Sequence, residues 1–184
     1  MDNNKNFLYQ ILTSDNVVES IRKNLENITN IIPEIKPMIG FQHCHPHHHL
    51  DVWEHTLLAL RFSPNNFDIR LALLLHDIGK PACFQNDDGI RHFKGHAEMS
   101  AYYTYFILRR LGYEQGYADY IKNIVLRHDT PLEAKDINDD CELSKIIFQV
   151  QKCDALAHNP AKNTKRLEYI SSITELFKQK ENMR

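Results

Sequence analysis

The sequence predicts an all-α fold, a single-domain helical bundle over residues 1–184. Three observations predict it: apolar residues recur at three- and four-residue spacings along most of the chain, no stretch alternates at strand period, and Pro or Gly separates the periodic segments. A length of 184 residues gives room for one core and not comfortably for two.

Phe7, Leu8, Ile11 and Leu12 mark a short first helix. Asp15 or Asn16 offers a cap for a second, whose stripe of Val17, Val18, Ile21, Leu25, Ile28 and Ile32 runs to Pro33. Residues 33–49 lose the period and read as a loop. Asp51 caps the next helix, with Glu54 three residues on, and that helix runs to about Arg61. After the Ser63-Pro-Asn-Asn66 turn, Asp68 opens a helix with Leu71, Leu74, Leu75 and Ile78 on its apolar side; Gly79 fits its C-cap and Pro81 bars continuation. Asn86-Asp-Asp-Gly89 signals a turn in a small hairpin or an irregular loop. A long helix is expected from about 95 to 111, ended by Gly112. Others are expected near 117–127, 142–157 and 161–178, with Thr130-Pro131 and Asn159-Pro160 as breaks.

Lys and Arg number 22 against 24 Asp and Glu, so no basic excess points to nucleic acid and no acidic run makes a tail. With 42% hydrophobic and 25% charged residues, long disorder is excluded. Met1-Asp-Asn-Asn-Lys5 lacks a signal-peptide layout, and the longest aliphatic run, Leu71-Ala-Leu-Leu-Leu75, is too short to span a membrane. Cys44, Cys83, Cys141 and Cys153 form no C-x-x-C pair, which suits reduced thiols and a cytoplasmic location.

Histidine is the outlying residue type: 11 in all, nine of them between positions 43 and 96. Neutral imidazole is a standard transition-metal ligand. His76-Asp77, at the end of the Leu-rich helix, pairs one nitrogen donor with one oxygen donor. The helix macrodipole opposes an Asp there, which suggests a compensating cation; the bland alternative is a helix-end histidine beside a solvent-facing Asp. The short Ser63–Asn66 turn makes the two flanking helices antiparallel, so His55, near the start of the first, can meet His76 and Asp77 around one ion. Asp154 lies on an otherwise apolar helix among Ile146, Ile147, Val150 and Leu156. Spacing alone leaves it either a surface residue or a ligand aimed inward.

The order His55, His76-Asp77-Ile-Gly-Lys80, Gly95-His96, Asp154 resembles the HD superfamily of metal-dependent phosphohydrolases. Further pieces, His47-x-x-x-Asp51-x-x-x-His55-Thr56, Gly95-His96-x-Glu98 and Lys152-x-Asp154-Ala155, are similar to the HD domain attached to bacterial CCA-adding tRNA nucleotidyltransferases, over about residues 47–160. The resemblance implies a bundle of the HD-domain type, with His55, His76, Asp77 and Asp154 as ligands of one metal. In two-metal members the H-D aspartate bridges, and His96 and His128 are the candidates for a second ion here. Otherwise His96 is a phosphate donor or general acid and His128 a helix-end histidine favoured by the dipole. Departures matter too. None of the six glycines adjoin, against a nucleotidyltransferase domain; some nucleotidase members carry a carboxylate where this chain has Lys80; and Leu74 stands where a P-loop needs its first glycine.

Two imidazoles and two carboxylates with open positions suit Mn, Fe, Co or Ni better than Mg or a closed structural Zn site. One ion is expected and two are the alternative. The ion would activate water and polarise a phosphoryl oxygen, with Asp77, Lys80 and His96 as the catalytic residues and Lys80 touching the phosphate; the bland reading of Lys80 is a surface lysine at a helix end. In His43-Cys-His-Pro-His-His-His49, the resemblance implies only His47 as a rim contact to the phosphate, the other histidines being solvated and able to chelate only adventitiously. Asp51 is a cap, and His92 and His158 have no evident partner. Tyr102, Tyr103, Tyr105 and Phe106 belong mostly to the core, although one ring could stack on a base.

The activity that the resemblance implies is metal-dependent hydrolysis of a nucleotide-like phosphomonoester or 2',3'-cyclic phosphodiester, the substrate being small and phosphorylated and the oligomeric state open. The alternatives are a dinucleoside polyphosphate hydrolase with two metals, and a non-catalytic, metal-stabilised nucleotide-binding module. A module built only for structure has no use for an open coordination position, which disfavours the last.

Overall fold

The computed structural model describes residues 2–182. Its helices are α1 (Asp2–Leu12), α2 (Val17–Lys23), α3 (Leu25–Ile31), α4 (Val52–Arg61), α5 (Phe67–Leu75), α6 (Lys80–Cys83), α7 (His96–Arg110), α8 (Gln115–Leu126), α9 (Ala134–Asp139), α10 (Cys141–Ala157) and α11 (Thr164–Asn182). Short 3-10 segments cover Pro33–Met38 and Pro160–Lys162, and β1 (Gln85–Asp87) pairs antiparallel with β2 (Ile90–His92). The all-α expectation holds.

Helix α5 is the centre of the bundle because it is apolar around its whole circumference: every residue from Ile69 to Leu75 is buried. A helix enclosed on all sides leaves its C-terminal end in the interior, and His76 and Asp77, the next two residues, are accordingly buried. Arg70 tolerates this environment because its Nη1 and Nε donors are engaged. Nη1 bonds the carbonyls of Leu12 (2.8 Å) and Ser14 (2.9 Å) and Asn65 Oδ1 (3.1 Å), and Nε bonds Ser63 Oγ (3.1 Å). These bonds tie the end of α1 to the α4–α5 turn. Helix α10 packs across α4, α5 and α8, and α11 packs on α10, with the Phe148 and Phe177 rings 5.5 Å apart.

Several elements differ from the sequence expectation, each for a local reason. The second helix breaks at Asn24, whose Nδ2 bonds Ser20 O (2.9 Å) and diverts the chain into α3. Residues 33–38 coil as a 3-10 turn with Ile35 and Met38 buried. Asn66 rather than Asp68 caps α5, accepting from Ile69 N. Gly79 is not a left-handed C-cap: its φ is −83°, and it precedes α6, where Pro81 fits the first turn. Glycine is required at position 79 by crowding, since a Cβ there would lie 2.6 Å from Ser100 N and 2.9 Å from His96 O. Asp88 (φ 46°) and Gly89 (φ 84°) make the two-residue left-handed turn of the β1–β2 hairpin. Arg91 staples that hairpin to the histidine loop: its guanidinium lies over Phe41 (4.7 Å) and Phe84 (5.1 Å), and Nη1 bonds Gln42 O (2.7 Å).

Candidate metal centre

Two helical hairpins use one geometric rule. In α4–α5 the short connection brings His55, near the start of the first helix, to His76 and Asp77, just past the end of the second. In α7–α8, turned at Gly112 (φ 86°), it brings His96, the first residue of α7, to His128, just past α8. Helix α10 crosses the first hairpin and adds Asp154.

The Asp77 carboxylate stands between the pairs. Its Oδ2 is 3.7 Å from His55 Nε2 and 3.3 Å from His76 Nε2. Its Oδ1 is 3.6 Å from His96 Nε2 and 3.8 Å from His128 Nε2. Asp154 Oδ1 is 2.8 Å from His55 Nε2 and 3.7 Å from His76 Nε2, and the Nε2 atoms of His96 and His128 are 3.2 Å apart. Two ligands bonded to one ion at about 2.1 Å lie at most about 4.2 Å apart, and all these separations fall within that limit. Two groups could therefore each hold an ion: His55, His76 and Asp154, and Asp77, His96 and His128.

The donor chemistry fits. Each of the four imidazoles turns Nδ1 to a backbone carbonyl: His55 to Ala157 (3.3 Å), His76 to Leu73 (2.7 Å), His96 to Phe93 (2.9 Å) and His128 to Val125 (2.7 Å). A carbonyl only accepts, so Nδ1 carries a proton and Nε2 faces the centre, where a bound ion would take the place of any proton on it, as in metal-binding histidines held by a carbonyl behind the ring. His76 Nε2 and both Asp77 oxygens are buried without a hydrogen bond of acceptable geometry, a costly arrangement unless a cation satisfies them.

Electrostatics point the same way. Burial pushes the Asp77 carboxyl up, yet His76 and Lys80 beside it hold it well below the ordinary carboxylate range. Burial likewise opposes ionisation of Asp154, but His158 and His55 hold it well below that range too. Burial would lower His76, but the Asp77 and Asp154 carboxylates draw it up to about 10, the mark of a site that wants a cation. Burial and the charge of His76 bring His128 down to about 4, so it stays neutral.

The centre opens into a cleft of about 370 Å³. Its charged lining is balanced: Lys80, Arg91, Lys94 and Arg166 against Asp77, Glu98, Asp129 and Asp154. Without a bound cation such a cleft has no net pull on an anion. Lys80 is buried, not a surface lysine, with Nζ 2.7 Å from Asp77 Oδ2 and 3.1 Å from His43 Nε2.

The histidine loop departs from expectation. His47 is exposed and does not line the cleft; its Nδ1 donates to Lys162 O (3.3 Å) and its carbonyl accepts from Asn159 N (2.9 Å). The reason is the backbone. Cys44 has φ 47°, and a turn closed by His48 N to His45 O (3.0 Å) sends His47 outward while His45 and His48 line the cleft. His43 is buried rather than solvated, stacked on His48 at 3.7 Å, and burial together with Lys80 lowers it to about 3, so its Nε2 accepts from Lys80. His158, four residues after Asp154, donates from Nδ1 to Asp154 O (2.8 Å). That i, i+4 relation was a usable sequence signal for His158. His43 and His48 had none. His92 lines the cleft, Asp51 caps α4 by accepting from Glu54 N (2.8 Å), and Tyr102 and Phe106 are exposed rather than core.

A family model, "HD domain", matches residues 47–157, the stretch that carries both donor groups. The chain belongs to the HD-domain family. HD domains form a superfamily of metal-dependent phosphohydrolases and bind divalent metals. This HD domain is 33% identical over 104 residues to the CC-adding tRNA nucleotidyltransferase of Thermus thermophilus, an alignment covering 53% of the chain and 24% of that enzyme. It is 45% identical over 71 residues to the A-adding tRNA nucleotidyltransferase of Deinococcus radiodurans, covering 35% of the chain and 16% of the enzyme. The aligned segments thus span at most 24% of these relatives, whose transferase activities belong to the whole enzymes. Among the described residues no helix is long and apolar enough to cross a membrane.

Proposed function

We propose that this HD domain hydrolyses a nucleotide-like phosphomonoester or 2',3'-cyclic phosphodiester. One divalent ion, of the Mn, Fe, Co or Ni type, would be held by His55, His76, Asp77 and Asp154, and a second by Asp77, His96 and His128. The observation that supports this most is the division of the Asp77 carboxylate, Oδ2 toward one donor group and Oδ1 toward the other, beneath an open cleft. A bound ion supplies an acidified water and a Lewis acid for a phosphoryl oxygen. Lys80 supplies an ammonium to the phosphate side, and the neutral His43 holds it by accepting its proton in a hydrogen bond. Arg91, Lys94 and Arg166 line the way in and orient an anionic ester. The second donor group also favours a second reading, hydrolysis of a dinucleoside polyphosphate.

The deciding experiment is metal analysis of protein purified without chelator, followed by phosphatase and cyclic-phosphodiesterase assays with Mn, Co, Ni and Mg. Wild type is expected to exceed Asp77→Ala with at least one metal; no difference with any metal refutes the reading. Faster turnover of a diadenosine polyphosphate than of cyclic phosphates would select the second reading. Because the relatives are named for tRNA, an RNA 3' end carrying a cyclic phosphate belongs in the same panel.

A further inference from the structure

Beside the metal cleft, between the end of α8 and the first turns of α11, lies a second chamber of about 310 Å³. It shares His128, Asp129, Thr130 and Arg166 with the cleft, so the two cavities are neighbours with a common wall. Such a volume is within the range of small-molecule sites, about 300–1,000 Å³. Part of its wall comes from α11, beyond the segment matched by the family model.

Two of the chamber's polar side chains, Gln151 and Tyr169, are spent on one another and on backbone groups. Gln151 Nε2 donates to Arg127 O (2.8 Å) and Thr130 O (2.7 Å), Gln151 Oε1 accepts from the Tyr169 hydroxyl (2.5 Å), and that hydroxyl accepts from Leu132 N (2.8 Å). The Tyr169 and Pro131 rings and the Ala155 methyl supply the apolar part of the wall, and Lys165 lines the chamber beside them. Against the Tyr169, Pro131 and Ala155 part of the wall, a charged or strongly polar group would lose its hydration without a new partner. A flat ring would gain stacking and burial. At the junction, Arg166 reaches both ways, with Nη1 3.5 Å from Asp154 Oδ2 and Nη2 3.4 Å from Asp129 Oδ1. One guanidinium therefore stands between the metal centre on one side and a partly apolar wall carrying Tyr169 and Pro131 on the other.

We infer that this chamber receives the base of a nucleoside phosphate, with Tyr169 as the ring that packs on it and Arg166 spanning the base and phosphate sides. The inference rests on the reading that the cleft binds a phosphate. It makes α11 a specificity element: the 47–157 segment handles the phosphate, and the added helix selects what the phosphate carries.

The test is calorimetric titration of the Mn-loaded full chain with two ligands that cannot be hydrolysed, the 5'-methylenephosphonates of adenosine and of base-free ribose. Wild type is expected to bind the adenosine compound at least about ten-fold more tightly, equivalent to about 1.4 kcal/mol, within the usual worth of stacking on an aromatic ring. Tyr169→Ala should remove most of that advantage and leave the affinity for the ribose compound unchanged, while Tyr169→Phe, which keeps the ring, should retain it. Equal affinity of wild type for the two ligands, or a Tyr169→Ala loss that is the same for both, overturns the inference. The wild-type comparison decides even if Tyr169→Ala does not fold. Hydrolysis without a base advantage refutes the chamber alone. A base advantage without hydrolysis by any metal refutes the hydrolase reading alone.

Discussion

Lys80 Nζ lies 3.1 Å from Nε2 of His43, a residue 37 positions earlier in the chain, and the bond is buried. His43 Nδ1 is engaged with Leu50 O at 2.8 Å, so the ring has one nitrogen left and that nitrogen accepts. His43→Ala should leave the buried ammonium with Asp77 as its remaining close partner. The expected cost is about 1–3 kcal/mol of unfolding free energy, measured by urea denaturation. It should be accompanied by a higher KM for phosphoesters, because Lys80 would be drawn toward Asp77.

If Asp77 serves both donor groups, metal content should respond to mutation in steps. Protein dialysed against Mn is expected to hold about two equivalents, as in dinuclear hydrolytic sites. His96→Ala or His128→Ala should lose one ion and His55→Ala the other, while Asp77→Ala should lose both. Elemental analysis reads these counts directly. Equal losses in His96→Ala and Asp77→Ala would mean that the two groups are not bridged.

Removing the ions should also lower stability. A ligand present at 100 times its Kd stabilises the folded state by about 2.7 kcal/mol. Four ligand imidazoles and two buried carboxylates sit on or beside α4, α5, α7, α8 and α10, so losing the ions should loosen the ends of both hairpins together. Chelator treatment is expected to lower Tm, and Mn to restore it; an unchanged Tm would show the donor groups to be empty in solution.

Gly79 connects stability to the site. A Cβ would meet Ser100 N at 2.6 Å and His96 O at 2.9 Å, both backbone atoms of α7 that cannot swing aside. Gly79 N also donates to Ser100 Oγ (2.9 Å). Gly79→Ala should therefore push the start of α7 away, costing about 1–3 kcal/mol as overpacking does and weakening the ion held by His96 more than the ion held by His55. Thermal melts with metal titration would check both effects.

Much of this arrangement was legible in the sequence. The apolar side of Leu71, Leu74, Leu75 and Ile78 pointed to the packed face of α5, though not to its burial all round, and the short turn at Ser63–Asn66 put His55 beside His76-Asp77 by an argument that needs only helix length and loop length. The same argument applied to Gly112 unites His96 with His128, a pairing that helix-end placement alone left open. Asp154 was ambiguous because its direction depends on how α10 crosses α4 and α5, which spacing does not encode. His43 and His48 were illegible for a different reason: their inward aim depends on one left-handed residue, Cys44, which is not a type that favours that region. Asn24 broke a stripe whose apolar period continues without interruption, so pattern alone joined α2 to α3.

Lys80 gives the sharpest separation between a structural and a catalytic role. Its ammonium lies 2.7 Å from Asp77 Oδ2, the oxygen that also faces His55 and His76. Lysine and a divalent ion therefore compete for the same carboxylate, and removing the ammonium relieves a like-charge repulsion at the site. Lys80→Gln should bind Mn more tightly than wild type in a direct titration. The same variant should hydrolyse phosphoesters more slowly, by about 10²–10³ in kcat if the ammonium meets developing charge as an oxyanion donor does. Tighter metal with slower turnover is the expected pair. A lysine that merely props the fold would weaken both, and a lysine irrelevant to the phosphate would leave kcat unchanged while metal affinity rose.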